Sequence, residues 1–156
     1  GVRCGYTVVP KDITASTLTG ERIPLNHLWY RRQCTKFNGT SYLSQRAAQA
    51  IYTQEGKEQV KETISYYMRN AHKMKETLTK LGLEVYGGEN APYLWVKTPN
   101  GEGSWRFFEQ MLYDAHVVCT PGVGFGPSGE GYIRLTAFGQ QEKTDEALLR
   151  IENWLK

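Results

Sequence analysis

Between residues 55 and 81 apolar side chains recur in steps of three and four, at Val60, Ile64, Tyr67, Met68, Ala71, Met74, Leu78 and Leu81, and no proline interrupts them. The spacing predicts one long amphipathic helix, closed by Gly82. Such a helix draws its stability from whatever covers its apolar stripe, so the remainder of the chain has to supply a second layer. Beyond Gly82 the pattern turns β-rich. The runs "LEVYGG" and "APYLWVKTP" are separated by Gly87, Gly88, Glu89 and Asn90, a strong turn signal. Ser104 is placed to cap an amphipathic helix with Trp105, Phe108, Met111 and Leu112 on its inward face. Residues 116–120 and 132–138 read as strands. Residues 142–155 read as a closing helix with Ala147, Leu148, Ile151 and Leu155 on one side. The fold class expected is α/β: a small sheet flanked by helices, preceded by a strand and the long helix.

The N-terminal part is arranged differently. Residues 6–9 form a β-rich run ended by Pro10, which reads as a strand already under way in a larger protein. A polar connection follows, and then a helix over Leu25, Leu28, Trp29 and Cys34 that Asn38 and Gly39 should stop. Thr40 or Ser41 can cap the next helix, whose stripe is Leu43, Ala47, Ala50 and Ile51.

Composition narrows the function classes. Over 156 residues the chain carries 19 basic and 16 acidic residues, spread rather than clustered, so no basic patch points to nucleic acid. No apolar run is long enough to span a bilayer, and no membrane partner is expected. Three cysteines, Cys4, Cys34 and Cys119, without CxxC spacing suggest reduced thiols and no metal site. A cytoplasmic location is expected, or the plastid stroma if the source is a photosynthetic eukaryote. The sequon at Asn38 would then carry no glycan.

One segment carries chemistry. In "PGVGFGPSGEGYIRLTAFG", from Pro121, glycines at 122, 124, 126, 129 and 131 lead into an alternating strand. Gly124, Gly126 and Gly129 match G-x-G-x-x-G, but the dinucleotide fingerprint needs a strand before it and a helix after it. Here a strand follows, and Pro127 removes a backbone donor. In the strand, Tyr132, Arg134 and Thr136 share one face and Ile133, Leu135 and Ala137 the other. A mid-strand arginine is ordinarily solvent-facing or paired with a structural carboxylate. Arg134 can alternatively grip a carboxylate ligand through two parallel hydrogen bonds, beside a loop that lets ligand and backbone come close.

The same segment resembles the C-terminal signature of the class I/II, fold type I pyridoxal phosphate-dependent aminotransferases, in which P-G-x-x-F-G precedes a strand bearing an R-L or R-I pair. "GVRCG" resembles the tail of that family's S-x-x-K-x-x-G-x-x-G-x-R segment. "RRQCTKFNG", "APYLWVKTP" and "GFGPSGEGYIRLTAFG" are similar, in order and spacing, to one branch of the family, which exchanges an amino group between glutamate and tetrahydrodipicolinate in lysine biosynthesis.

The resemblance covers essentially the whole chain and implies the C-terminal part of such an enzyme. Residues 1–40 would then end the large cofactor-binding domain, which the strand and long helix normally contact. Residues 41–156 would form the small domain, including the long connecting helix. Arg3 would bind the phosphate of pyridoxal 5'-phosphate and Arg134 the substrate α-carboxylate. Asn38 would reach from one subunit of a homodimer into the other's active site, touching cofactor and substrate. Tyr93 and Trp95 are expected to pack the small domain.

None of the lysines present stands in the S-x-x-K context. The Schiff-base lysine is therefore expected upstream of Gly1, no catalytic residue is assigned, and the chain alone is expected to be inactive. The partners implied are amino acid and 2-oxo acid substrates. Two alternatives remain: another class I/II aminotransferase acting on aromatic or aliphatic amino acids, and a non-catalytic α/β interaction domain.

Overall fold

The computed structural model describes residues 2–156; Gly1, which opens the run "GVRCG", lies outside them. The chain forms two units, divided between Val60 and Lys61.

In the first unit, β1 (Thr14–Ser16) pairs antiparallel with β2 (Arg22–Pro24). The turn between them is closed by Gly20 N–H donating to Thr17 O and Thr17 N–H donating to Glu21 O. Helix α1 (Leu25–Arg32) continues into a wider π-helical turn (Gln33–Phe37) and stops at Asn38, whose backbone is left-handed at φ 54°. Asn38 tolerates this conformation better than most residues, and its N–H closes the turn by donating to Gln33 O at 2.9 Å. Ser41 caps α2 (Tyr42–Ala50), its hydroxyl accepting from Ser44 N–H at 3.3 Å.

The expected strand over residues 6–9 does not form. A β-rich run becomes a strand only through ladder hydrogen bonds, and among the described residues nothing pairs with it. Tyr6 and Val8 are exposed, and Asn26 Nδ2 donating to Val9 O is the tie that holds the end of the segment.

Helix α3 (Gln54–Lys80) begins in the first unit and lies mostly in the second; its 27 residues make it about 40 Å long. Ala71, Met74 and Leu78 of its stripe are buried while Ile64 stays exposed, so the cover begins in the C-terminal half. The second unit supplies that cover with a four-stranded antiparallel sheet in the order β3 (Val85–Gly87), β4 (Tyr93–Lys97), β6 (Tyr132–Thr136), β5 (Thr120–Pro121). Alternation works as the sequence predicts. Leu94, Val96, Ile133 and Leu135 face a core shared with α3, with Phe107 and Met111 of α4 (Ser104–Tyr113), and with Leu148 and Ile151 of α5 (Gln141–Leu155). Buried Asn70 on α3 donates to Ala137 O and Gly139 O, fixing the exit from β6.

Two expectations in this unit are corrected. The strand over 116–120 shrinks to Thr120 and Pro121: His116 takes a left-handed backbone (φ 54°), Val117 N–H donates back to Met111 O, and the ladder with β6 begins only at Thr120. Ser104 is the first residue of α4 rather than its cap. The free N–H of Ser104 donates instead to the Glu130 carboxylate at 2.9 Å, a charge suited to a helix N-terminus. The Ser104 hydroxyl, fully buried, donates to Gly129 O and accepts from Tyr132 N–H. The fully buried face of α4 is Ser104, Phe107 and Met111; of the expected stripe Met111 is buried and Phe108 packs against the core, whereas Trp105 is exposed.

Anchorage also explains the glycines. Gly122 and Gly129 sit in two consecutive 3₁₀ turns (Gly122–Phe125 and Pro127–Gly129) whose backbones touch. A Cβ on Gly122 would overlap Gly129 O and meet Tyr132 O at 2.6 Å; a Cβ on Gly129 would overlap Gly122 O in return. Gly124 has open space around it. Gly122→Ala is therefore expected to destabilise the chain by about 1–3 kcal/mol, against less than about 0.5 kcal/mol for Gly124→Ala. Urea unfolding midpoints compare them, and equal midpoints would refute the close-approach explanation.

Candidate functional site

The sheet has one face in the core, and the other carries aromatic side chains. On that second face β3, β4 and β6 present Tyr86, Tyr93, Trp95, Tyr132 and Arg134, and the register sets Trp95 between Tyr86 on one neighbour and Arg134 on the other. Trp95 stacks on Tyr132, with centroids 5.6 Å apart and planes 19° apart, and meets Phe125 edge-on. Tyr93 meets Phe138 edge-on, and Phe138 meets Tyr67. At the edge of this face Tyr86 and Lys97 both donate to the Glu84 carboxylate. The hydrogen bond from Tyr86, then that from Lys97, holds Glu84 below the usual carboxylate range.

Arg134 lies in the middle of these rings. Its guanidinium carbon is 4.6 Å from the centre of the Phe125 ring and 5.0 Å from that of Tyr93, both within cation–π range. Its Nε is buried without a hydrogen-bond partner, and among the described residues no carboxylate lies within salt-bridge distance of it. Neither ordinary role for a mid-strand arginine applies, since it is neither paired nor merely solvent-facing. A charged fork with free donors, flanked by aromatic faces, is suited to a planar anion such as a carboxylate.

The model for "Aminotransferase class I and II" matches residues 1–151. The chain belongs to this family. It is 76% identical over 155 residues to an LL-diaminopimelate aminotransferase of Bacteroides fragilis, covering 99% of this chain and 38% of that protein. It is 64% identical to the one of Parabacteroides distasonis, covering all of this chain and again 38% of the relative. The chain thus spans little more than a third of the length of the curated relatives it matches. Among solved structures it is similar to L,L-diaminopimelate aminotransferase from Chlamydomonas reinhardtii, with a TM-score of 0.85 at 40% identity over 94% of this chain and 35% of that one. An aromatic aminotransferase from Pyrococcus horikoshii aligns at a TM-score of 0.72 and 27% identity, over 82% of this chain and 35% of the other.

For a class I and II aminotransferase, the three residues singled out from the sequence fall in two groups. Arg134 lies in the second unit, and Arg3 and Asn38 lie in the first. Arg3 is exposed and lines an open cavity with Cys4, Ser44, Ala47, Ala48 and Ile51. Asn38 is exposed at the end of the π-helical turn, held there through its backbone. What sequence reasoning missed is the partnership of Arg134 with Phe125 and Tyr93. Strand alternation places Tyr93 and Trp95 on one face of β4, but not beside the arginine. Phe125 comes from a loop, where no periodicity exists to signal it.

Among the described residues no group of three or more His, Cys, Asp or Glu side chains is arranged to hold a metal, and no helix is long and apolar enough to cross a membrane. The cysteines differ sharply: Cys4 and Cys34 are exposed, and burial pushes the Cys119 thiol up to about 12. Two thiols are therefore expected to react quickly with a disulfide reagent at pH 8, and the third only on unfolding. Three fast thiols would contradict the burial. Linkage adds a sign. From an ordinary thiol value near 9 up to about 12 the unfolded chain releases this proton while the folded chain keeps it. Stability should fall as pH rises through that window.

Proposed function

We propose that the protein containing this chain is a pyridoxal phosphate-dependent LL-diaminopimelate aminotransferase, in which Arg134 clamps the α-carboxylate of glutamate and of the diaminopimelate-type substrate. The observation that carries the reading is the guanidinium of Arg134, with its Nε buried and no carboxylate within salt-bridge distance among the described residues. Similarity at 76% identity to a protein of that name supports the substrate class. In this reading residues 1–40 belong to the end of the cofactor-binding domain and residues 41–156 to the small domain.

The residues at hand fit parts of the cofactor. The cavity beside Arg3 offers a guanidinium and the Ser44 hydroxyl, donors suited to a phosphate dianion, and the small side chains of Ala47 and Ala48 leave room. Asn38 offers an amide that forms no hydrogen bond through its side chain among the described residues, available to cofactor and substrate across a homodimer interface. Bound pyridoxal phosphate supplies the electron sink that lets an amino acid lose its α-proton. Arg134 orients the substrate by its carboxylate, which fixes the direction of the α-carbon bonds. In this reading the base that moves the α-proton is a Schiff-base lysine in an S-x-x-K context, a context none of the lysines in this sequence has, and the chain by itself is expected to carry no transamination.

Two experiments on the complete protein test the assignment. Arg134→Lys replaces a bidentate fork with a point charge, and kcat/KM for glutamate is expected to drop by the equivalent of about 2–4 kcal/mol with the cofactor absorbance nearly unchanged. A change within about twofold would return Arg134 to a structural role. For Asn38, subunits carrying Asn38→Ala are mixed with subunits lacking the Schiff-base lysine. If Asn38 serves the neighbouring site, both defects collect in one site of the heterodimer and the other regains activity. No recovery in verified heterodimers would exclude the cross-subunit role.

A further inference from the structure

The glycine-rich loop stays in contact with the sheet, and its geometry suggests a purpose beyond turning the chain. Gly126 has φ 123° and ψ 168°, a conformation essentially restricted to glycine, and nothing lies within 4 Å of where its Cβ would be. Backbone conformation rather than space requires glycine there. The contact of Gly122 with Gly129 and the bonds of Gly129 and Glu130 to Ser104 pin the loop on both sides of this residue. The side chain that immediately precedes Gly126 is Phe125. It is 54% exposed, contributes nothing to the core, and has its ring 4.6 Å from the Arg134 guanidinium carbon and 5.7 Å from the Trp95 ring.

A long, rotatable arginine has to be held in one plane if it is to meet a carboxylate with two parallel hydrogen bonds. The common device is an acidic neighbour, but a carboxylate occupies the donors and neutralises the charge that the ligand needs. Aromatic rings hold a guanidinium through its π faces and leave its in-plane N–H donors free. Phe125 and Tyr93 lie within cation–π distance of Arg134, placed to act in this way, where no carboxylate is within salt-bridge distance among the described residues.

We propose that Phe125, with Tyr93, is a positioning residue for the carboxylate-binding reaction of Arg134. It sets the plane of the guanidinium, and the glycine-only backbone of Gly126 and the Gly122–Gly129 contact hold it in place. The inference rests on the reading of Arg134 as the substrate clamp and names the residues that determine its geometry.

The test is a double-mutant cycle in the complete protein, with glutarate as a non-reacting dicarboxylate and glutamate as substrate. Phe125→Leu keeps an apolar side chain at a half-exposed site and is not expected to unfold the protein; its circular dichroism and melting temperature are checked against wild type. Glutarate binding and the KM for glutamate are expected to weaken roughly 3- to 30-fold, with kcat changed less. Phe125→Tyr, which keeps the ring, is expected to stay within about threefold of wild type. In an Arg134→Lys background Phe125→Leu is expected to change binding by less than about twofold, because the plane it sets no longer exists.

Equal weakening in both backgrounds would show that Phe125 meets the ligand by itself and would overturn the positioning role. An unchanged affinity for Phe125→Leu alongside a large loss for Arg134→Lys would overturn it too, while leaving the clamp standing. No loss for Arg134→Lys itself would remove the clamp and the positioning role together. If Phe125→Leu alters the fold, Tyr93→Leu replaces it in the same cycle and is judged by the same outcomes.

Discussion

The backbone contact between Gly122 and Gly129 is the constraint on which the second unit depends. Two glycines whose carbonyls occupy each other's side-chain space bring two short 3₁₀ turns together. Once they meet, Gly129 O lies where the Ser104 hydroxyl can donate to it, and the next residue, Glu130, reaches the first N–H of α4. Loop, helix start and the first residue of β6 are thus tied by a fully buried serine that also accepts from Tyr132 N–H. A buried hydroxyl with both its donor and acceptor used is stable, whereas its removal would leave a carbonyl and an N–H unsatisfied, at a penalty of about 1–3 kcal/mol for each buried group.

Strand β6 carries that order from core to site. Its odd-numbered residues, Ile133 and Leu135, are buried against the helices, and its even-numbered residues, Tyr132 and Arg134, stand on the aromatic face. A one-residue slip of register would exchange these sets and bury a charge, so the packing of the core fixes the position of Arg134. The same strand end is held by Asn70 from α3. The free guanidinium is consequently displayed on a rigid element, with the aromatic rings of a pinned loop and of β4 against it, which is what an oriented carboxylate clamp requires.

Much of this was legible from residue spacing. The 3.6 period of α3 and the strict alternation of β4 and β6 are local signals, repeated over many residues, and the elements formed where they indicate. Segments whose state depends on a partner were not legible. The run 6–9 has strand composition but no ladder among the described residues, and in the run 116–120 the ladder with β6 reaches only Thr120. On α4 the sequence placed Met111 and Phe108 against the core but not Phe107, and it did not foresee that Ser104 N–H donates to Glu130, 26 residues away, instead of Ser104 acting as a local cap.

The sequence by itself determined the α/β class and the two faces of the sheet, since periodicity is a property of neighbours along the chain; it marked Arg134 only as a mid-strand arginine, and the resemblance singled it out. Only the tertiary structure decided that Arg134 has no carboxylate partner among the described residues and that Phe125 and Tyr93 stand against it. It also decided that Gly122 and Gly129 are glycines because two backbones meet there. These facts concern distances between residues that the chain separates and folding brings together, and no local pattern records them.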